Sequence, residues 1–318
     1  MLLNDIIIFI VGLCLLILSS DWLVQSSVKV SSIFKLSPLF IGAVLIAFGT
    51  SAPEAGVGIM AALRNQKGIA LGNIIGSNIS NIGLIVGLCA LIRPLEVTKD
   101  IFKREVPIML ISVVMFYFLS WDLLISRIDG LIFILLFIVF CFLSYKGSKQ
   151  SFDDKELSNF TLNKTLKSLN SRLGLFSLIL LSLAGIILGA DLMVGSGSRI
   201  AKIFGVAPWI IGITVFAIGT SLPELFTSLT ASLKKASSIS VGNIVGSNIF
   251  NVLFVLGIVA LIRPINVDPS LLKFELPVLL VFSFVFFTVM RLRYRIGRWE
   301  GLAMFFGYAA FIFFLLKK

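Results

Sequence analysis

An internal repeat constrains the fold of this chain more than any other feature of its sequence. Residues 42–94 align with residues 212–264 without a gap at a constant offset of 170 positions, and 24 of the 53 aligned positions are identical. AFGTSAPE at 47–54 matches AIGTSLPE at 217–224, and GNIIGSNISN at 72–81 matches GNIVGSNIFN at 242–251. A duplication of this kind predicts two copies of one structural unit with the same elements in each.

Both copies lie in strongly apolar sequence. Hydrophobic residues make up 58% of the 318 positions, charged residues 14%, and the mean hydropathy is +1.06. A soluble domain has roughly 45–50% apolar and about 25% charged residues. The composition therefore excludes a soluble enzyme, a nucleic-acid-binding protein and a disordered chain, and it predicts that lipid is the solvent for most of the chain.

Ten apolar runs are long enough to cross a bilayer, for which a helix needs roughly 20 apolar residues. The first run has no basic residues before it and no clear cleavage site after it, so it predicts a first span and not a cleaved signal peptide. The predicted spans are at about 1–21, 38–62, 69–92, 105–121, 128–145, 174–194, 206–232, 239–262, 275–290 and 300–316.

The order of the runs predicts the symmetry of the fold. Glu54 lies in the second run and Glu224 in the seventh. Five spans separate them, an odd number, so the second copy is expected to be inserted upside down, as in many secondary transporters. We predict an all-α polytopic membrane protein of ten transmembrane helices in two inverted five-helix repeats, 1–147 and 173–318, joined by a cytoplasmic linker at 148–172.

Charge in the predicted loops orients the chain. With the N-terminus outside, the cytoplasmic loops carry 18 of the 27 Lys and Arg residues and the outer loops carry 9. This bias predicts a multi-pass protein of the plasma (inner) membrane with both termini extracytoplasmic. The three cysteines are scattered in apolar runs, which indicates packing and not a disulfide framework.

Glu54 and Glu224 are the acidic residues that lie in the middle of apolar runs, and no Lys or Arg occurs within nine residues before either. A carboxylate at membrane depth is costly unless it is paired, protonated or bound to a cation. The neighbouring motifs offer no basic partner, so bound cations are the economical explanation.

The residues around the glutamates supply further oxygen atoms. Pro53 cannot donate to the carbonyl group four residues back and kinks the helix, and Pro223 does the same in the second copy. Hard cations such as Na⁺ and Ca²⁺ take oxygen ligands, and Ca²⁺ takes about 6–8 of them. The hydroxyl groups beside the two carboxylates belong to Thr50, Ser51, Thr220 and Ser221.

The second motif works by helical spacing, because residues four apart share one face of a helix. Its polar residues predict one wall of an ion-lined cavity, and its glycines predict close approach of another helix. The polar stripes are Asn73, Ser77, Asn81 and Asn243, Ser247, Asn251, and the glycine stripes are Gly72, Gly76 and Gly242, Gly246.

Each feature alone has a plainer explanation. A glycine stripe commonly serves only helix packing, and a proline kink is commonly structural. Their joint duplication at one offset favours a functional site. Asp21 and Asp191 lie near predicted span ends, where capping or interfacial anchoring is the favoured interpretation over ion conduction.

The duplicated GTSxPE and GNxxGSNxxN motifs resemble the α-repeats of the calcium/cation antiporter superfamily, specifically its sodium/calcium exchanger branch of compact prokaryotic type. The resemblance covers essentially the whole chain. The cation/proton branch typically has an acidic residue after the Gly-Asn pair, whereas this chain has Ile74 and Ile244 there. That difference favours sodium as the coupling ion.

The resemblance implies roles for individual residues. Glu54 and Glu224 would be the central Ca²⁺ ligands, with an oxygen atom from Thr50 and one from Thr220. The flanking Na⁺ sites would be formed by Ser51, Ser77, Ser221 and Ser247 and by the backbone carbonyl groups of Ala47 and Ala217.

Asn81 and Asn251 would face the centre of the site. Some exchangers have Asp at the position of Asn251, so this chain lacks one titratable group there. The occupancy of a middle site and any potassium dependence stay open.

The sequence thus predicts a monomeric secondary antiporter and not an enzyme, since it has no histidine and no apparent nucleophile–base pair. Na⁺ would enter and Ca²⁺ leave, competing for oxygen ligands around the two glutamates while the first and sixth spans move. The predicted partners are these two ions and the bilayer, without a cofactor. The alternatives are a Ca²⁺/H⁺ or K⁺-dependent antiporter that uses the same glutamates, and a passive cation channel.

Overall fold

The computed structural model describes residues 2–64, 66–150, 171–204 and 219–317, which are almost wholly helical. Helices suit apolar runs of this length, because lipid offers no hydrogen-bond partners and the backbone must satisfy its own groups. In the first half the elements are α1 (Leu2–Phe34), α2 (Pro38–Phe40), a π-helical segment (Ile41–Ile46), α3 (Ala47–Thr50), α4 (Ala52–Leu63), α5 (Lys67–Ser80), a π-helical segment (Asn81–Ile85), α6 (Val86–Ile92), β1 (Leu95–Glu96), α7 (Lys99–Lys103), α8 (Glu105–Leu119), β2 (Leu124–Ile125) and α9 (Arg127–Gln150).

The second half follows the same order where it is described. Its elements are α10 (Arg172–Ile203), α11 (Leu222–Leu233), α12 (Ser237–Ile249), a π-helical segment (Phe250–Val255), α13 (Leu256–Ile262), β3 (Ile265–Asn266), a π-helical segment (Leu271–Glu275), α14 (Leu276–Arg293), β4 (Arg295–Ile296) and α15 (Arg298–Lys317). The run from α5 to β1 and the run from α12 to β3 match at the offset of 170 to within one residue, as the sequence repeat predicts.

Within the described ranges, seven helices are long and apolar enough to cross a membrane, and the bent pair Pro38–Thr50 and Ala52–Leu63 gives an eighth. The other two of the ten predicted spans are the fourth and the seventh. Helix α8, the predicted fourth span, has only 15 residues. Part of the predicted seventh span and most of the predicted linker lie outside the described residues.

Helices α1 and α10 are longer than their predicted apolar runs, at 33 and 32 residues. At 1.5 Å per residue each is about 50 Å long, against about 30 Å for the hydrocarbon core, so each must tilt or project. Their backbones approach closely, since a Cβ atom added at Gly12 would lie 2.8 Å from the carbonyl oxygen of Gly189. Asp21 and Asp191 lie inside these helices, so the prediction that they cap helix ends is wrong, while interfacial anchoring stays a prediction.

Helices α5 and α12, which carry the GNxxGSN motifs, form the centre of the protein. In Gly68–Ile92 and Ser237–Ile262, 78% and 83% of the best apolar window is buried, against 22–33% in the other five long helices. The predicted close packing is present in the second copy, where a Cβ atom at Gly242 would lie 2.8 Å from the Leu39 carbonyl oxygen. Added Cβ atoms at Gly72 and Gly76 would have no such neighbour among the described residues. Position 209, the equivalent of Leu39 in the second copy, lies outside the described residues.

Two short antiparallel ladders join the halves. β1 pairs with β4 in the register Leu95↔Ile296, and β2 pairs with β3 in the register Ile125↔Ile265. Helix packing crosses between the halves in the same way, because α6 packs on α15 and α9 packs on α13. The two copies therefore form one interlocked unit around α5 and α12.

Candidate cation-binding site

The first motif lies at a break between two helices. Helix α3 ends at Thr50 and α4 begins at Ala52, while Ser51 between them has φ −85° and ψ 10°, and the axis bends by 45°. Pro53 is the second residue of α4, where a missing N–H is tolerated. The predicted proline kink is confirmed. Ser221 has the matching dihedral angles of −88° and 3° just before α11, which also has its proline at the second position.

The break places Glu54 and Glu224 in the first turns of α4 and α11. The side chains are 1% and 0% exposed. The positive end of a helix dipole favours a negative charge at this position. The sequence thus folds each carboxylate into the protein interior and partly stabilises it there through the backbone.

Hydroxyl groups of both copies meet the two carboxylates. Ser51 Oγ donates to Glu224 Oε1 at 2.6 Å, so a residue of the first copy contacts the glutamate of the second. Ser77 Oγ donates to Glu54 Oε1 at 3.5 Å and lies 3.5 Å from Thr220 Oγ1. Two glutamates that are 170 positions apart therefore belong to one site.

The two threonines of the motifs also bind across the copies. Thr50 Oγ1 donates to Asn243 Oδ1 at 3.2 Å, and Thr220 Oγ1 donates to Asn73 Oδ1 at 3.4 Å. Asn73 in turn donates from Nδ2 to the backbone oxygen of Glu54 at 3.2 Å. These repeat-related bonds fix the polar faces of α5 and α12 against the two helix breaks.

Several buried oxygen atoms in the site have no hydrogen-bond partner among the described residues. They include Oε2 of Glu54, Oε2 of Glu224 and Oγ of Ser221. Ser247 Oγ donates to Oε1 of Glu224 at 3.4 Å and leaves the second carboxylate oxygen unsatisfied. A buried polar atom without a partner is costly, so each of these oxygens is a candidate ligand for a cation.

Deeper along α5 and α12 the site continues as a cluster of four buried asparagines. Asn251 Nδ2 donates to Asn78 Oδ1 at 3.1 Å, and Asn78 Nδ2 donates to the backbone oxygen of Asn248 at 3.5 Å. Both side-chain polar atoms of Asn81 are unsatisfied within the described chain. A π-helical segment begins at or next to Asn81 and Asn251, a device that is frequent at functional sites.

Asn78 and Asn248 were not among the residues proposed from the sequence. Both are the asparagine of the GSN triplet and are related by the offset of 170, a signal that was present in the alignment. They are 0% and 1% exposed, so they are part of the amide cluster and not of a lipid-facing surface.

The structure brings most of the proposed site residues together. The contacts made by Glu224 are with Ser51 and Ser247, and those made by Ser77 are with Glu54 and Thr220. Thr50 donates to Asn243, which lies on α12 beside the same motif. The Ala47 carbonyl oxygen accepts the backbone N–H of Ser51 at 3.0 Å and so lies at the helix break. Ala217 lies outside the described residues.

The site combines two carboxylates with neutral oxygen atoms. In the described ranges neither glutamate forms an ion pair with Lys or Arg. The same ranges contain no group of three or more His, Cys, Asp and Glu residues that could hold a metal. This arrangement can bind hard cations through oxygen ligands, and the two ionised carboxylates would supply a charge of −2.

Most of the chain on both sides of the central linker matches a family of proteins. The match is to the family described as sodium/calcium exchanger protein, over residues 4–146 and 174–317. The chain belongs to the sodium/calcium exchanger family. The chain is similar to the sodium/calcium exchanger MaX1 of Methanosarcina acetivorans, with 31% identity over 97% of this chain and 97% of that protein.

Two further comparisons cover most of the chain. The inner membrane protein YrbG of Escherichia coli is 36% identical over 88% of this chain and 86% of its own length. The solved structure of the sodium-calcium exchanger NCX_Mj, soaked with 10 mM Na⁺ and zero Ca²⁺, superposes with a TM-score of 0.84 at 31% identity and covers 98% of this chain and 99% of that one. The protein is thus a multi-pass membrane cation antiporter of the compact prokaryotic exchanger branch, and not an enzyme.

Proposed function

We propose that this exchanger couples Na⁺ entry to Ca²⁺ exit and that both ions bind at Glu54 and Glu224. One observation carries the proposal: the two carboxylates are fully buried, each has an oxygen atom without a partner among the described residues, and hydroxyl groups of both copies surround them. Oxygen ligands of this kind suit both ions.

Competition between the ions follows from the shared ligands. Two carboxylates match the charge of one Ca²⁺. Ser77 Oγ, which we place in a flanking Na⁺ site, contacts Glu54, one of the proposed Ca²⁺ ligands. We assign the central position to Ca²⁺ and the flanking positions to Na⁺. The ligands in this scheme are Ala47, Thr50, Ser51, Glu54, Ser77, Asn81, Ala217, Thr220, Ser221, Glu224, Ser247 and Asn251.

In the proposed architecture, two inverted five-helix repeats, 1–147 and 173–318, enclose the site, with the linker 148–172 in the cytoplasm and both termini outside. The crossed contacts of Ser51 with Glu224 and of Thr50 with Asn243 support a site between repeats. Such a position is common in transporters built from inverted repeats. We assign the protein to the inner membrane as a monomer.

Alternating access would come from α1 and α10 moving together against the central helices. Their close crossing at Gly12 and Gly189 supports a joint movement. One ion pair, between Lys234 Nζ and Asp21 Oδ1 at 2.5 Å, ties α1 to the end of α11. The equivalent positions of the other copy form no ion pair among the described residues. The two copies therefore differ here, and such a difference allows an inverted repeat to open on one side of the membrane at a time.

Proton or potassium coupling is the rival, since the same glutamates could carry H⁺. The test is ⁴⁵Ca²⁺ uptake into vesicles containing the purified protein, with Na⁺, K⁺ and H⁺ gradients imposed separately. We expect uptake to follow an outward Na⁺ gradient at equal pH and without K⁺. Uptake driven by a pH gradient in Na⁺-free medium would instead favour the Ca²⁺/H⁺ exchanger, and uptake without stimulation by ions on the opposite side would favour a channel.

A further inference from the structure

We propose that a basic cavity between α8 and α9 binds the headgroup of an anionic phospholipid. The cavity has a volume of about 390 Å³. Three of its lining residues are cationic, namely Lys103, Arg104 and Lys146, and three are apolar, namely Pro107, Ile108 and Leu143. It lies apart from the two glutamates and their hydroxyl partners.

The cationic residues of this cavity lie at the ends of α8 and α9, and its apolar residues lie further along the same helices. Lys103 and Arg104 precede α8 and Lys146 lies near the end of α9, so the cations are at the ends of the helices. Ile108 and Leu143 lie about one turn further towards the middle of their helices, and Leu143 is 44% exposed. A phospholipid has the same layout, with a charged headgroup at the membrane surface and acyl chains beneath it.

Arg104 is held in a position from which it can bind phosphate. A Cβ atom at Gly147 would overlap the Arg104 guanidinium, so the glycine lets that group lie against α9. Its Nε lies 3.8 Å from Glu105 Oε1 and has no hydrogen-bond partner in the described chain. Guanidinium groups bind phosphate through paired N–H groups.

Glu105 is an acidic side chain next to this cavity, because it pairs with Arg104, but it is not one of the lining residues. It is 1% exposed and accepts a hydrogen bond from Ser144 Oγ at 3.2 Å. The lining residues themselves include three cations and no acidic side chain, so the cavity is positive. Lys103 and Lys146 are both exposed, so their side chains can change conformation to contact a headgroup.

The repeat provides a matched cavity with a different charge. A cavity of about 330 Å³ lies between α14 and α15, and its residues Lys273, Pro277 and Val278 are the equivalents of Lys103, Pro107 and Ile108. Phe274 stands at the position of Arg104, and the sequence has Leu316 at the position of Lys146. Both copies thus keep the apolar groove, and only one carries three cations.

The experiment uses the full chain, purified in detergent, stripped of lipid and titrated with phosphatidylglycerol or phosphatidylcholine, with bound lipid counted by native mass spectrometry. The variant is Lys103→Gln with Lys146→Gln, which leaves Arg104 and Glu105 paired. Because each lysine near an anionic headgroup strengthens binding about fivefold, phosphatidylglycerol should bind about 30-fold more weakly to this double variant. Lys273→Gln should leave that affinity unchanged, and Lys103→Arg with Lys146→Arg should preserve it.

Three results would overturn the proposal. The first is equal binding of phosphatidylglycerol to the double glutamine variant and to the parent chain. The second is equal binding of phosphatidylcholine, which would make the cavity an apolar groove without headgroup selectivity. The third is displacement of phosphatidylglycerol by millimolar inorganic phosphate, which would make the ligand a soluble anion.

Discussion

Lys234 Nζ lies 2.5 Å from Asp21 Oδ1, and this ion pair joins α1 to the residue that follows α11, the helix of Glu224. Asp21 also accepts a hydrogen bond from Gln25 Nε2 at 2.6 Å. The repeat places Asp191 and Arg64 at the equivalent positions, where both side chains are exposed and form no ion pair among the described residues.

The first prediction concerns this asymmetry. Lys234→Gln removes a contact that fixes α1 and should change the ratio of the two access states by up to about fivefold, since partly exposed ion pairs contribute about 0.2–1 kcal/mol. The half-saturating Ca²⁺ concentration at each face of the vesicle measures this ratio. Arg64→Gln is the matched control and should have a smaller effect, while exchanging the charges with Asp21→Lys and Lys234→Asp should restore the original ratio. Equal effects of Lys234→Gln and Arg64→Gln would contradict this role for the pair.

The second prediction concerns the two buried carboxylates. Glu54→Gln and Glu224→Gln should each lower Na⁺-driven ⁴⁵Ca²⁺ uptake by at least about 100-fold, because losing even an outer partner of a metal ligand costs about 10–100-fold in affinity. Glu275→Gln is the control, since Glu275 is 8% exposed but lies outside the site. Exchange at the parent rate in either of the first two variants would rule out the proposed site.

The third prediction separates two serines at equivalent positions. Ser51 Oγ donates to Glu224 Oε1 at 2.6 Å, whereas Ser221 Oγ has no partner among the described residues. Ser51→Ala should lower the free energy of unfolding in cation-free buffer by about 0.5–1.5 kcal/mol, the range for a hydrogen bond between neutral groups, because a buried carboxyl group without a cation or an ion pair is protonated. Ser221→Ala should leave it unchanged or raise it, while both variants weaken Na⁺ stimulation of Ca²⁺ release. Thermal unfolding in detergent provides the measurement, and equal destabilisation by both substitutions would count against the contacts described.

The fourth prediction concerns close packing at the centre. A Cβ atom at Gly246 would overlap the backbone carbonyl group of Ala43, so Gly246→Ala should destabilise the protein by about 1–3 kcal/mol or more through overpacking. Gly56 is exposed in α4, and no described atom lies within 4 Å of its added Cβ. Gly56→Ala should therefore be neutral or stabilise by about 0.5–1 kcal/mol, the usual gain in a helix. Equal thermal unfolding midpoints for Gly246→Ala and Gly56→Ala would be inconsistent with this packing.

The sequence predicts best what local chemistry decides. Pro53 lacks an N–H, so the break beside Ser51 follows from the residue type, and α6 ends at Ile92 just before Arg93-Pro94 for the same reason. The buried glutamates could be found because their charge conflicts with the apolar runs around them. The same residues recur 170 positions later, so the same predictions apply to the second copy.

Contacts between segments that are far apart in the chain could not be predicted from the sequence. The choice of Glu224 and not Glu54 as the partner of Ser51 depends on how the two copies pack. Asp21 was expected to cap or anchor a span because the first apolar run ends beside it. Its ion pair with Lys234, far away along the chain, and the continuation of α1 through the polar residues after it have no local signal. The π-helical segments at Asn81 and Phe250 have no local signal in residue type, because they depend on tertiary packing.

The ladders of β1 with β4 and of β2 with β3 have a consequence for biosynthesis. About 200 residues separate Leu95 from its partner Ile296, and a ribosome that adds about 5–20 residues per second needs roughly 10–40 s to cover that distance. During that interval β1 has no partner strand, and α5 lacks the packing that α12 and α14 later give it. A nascent chain that stalls between the copies is therefore a poorly packed membrane intermediate, and a substitution in β4 can act on the yield of the protein without touching the ion site.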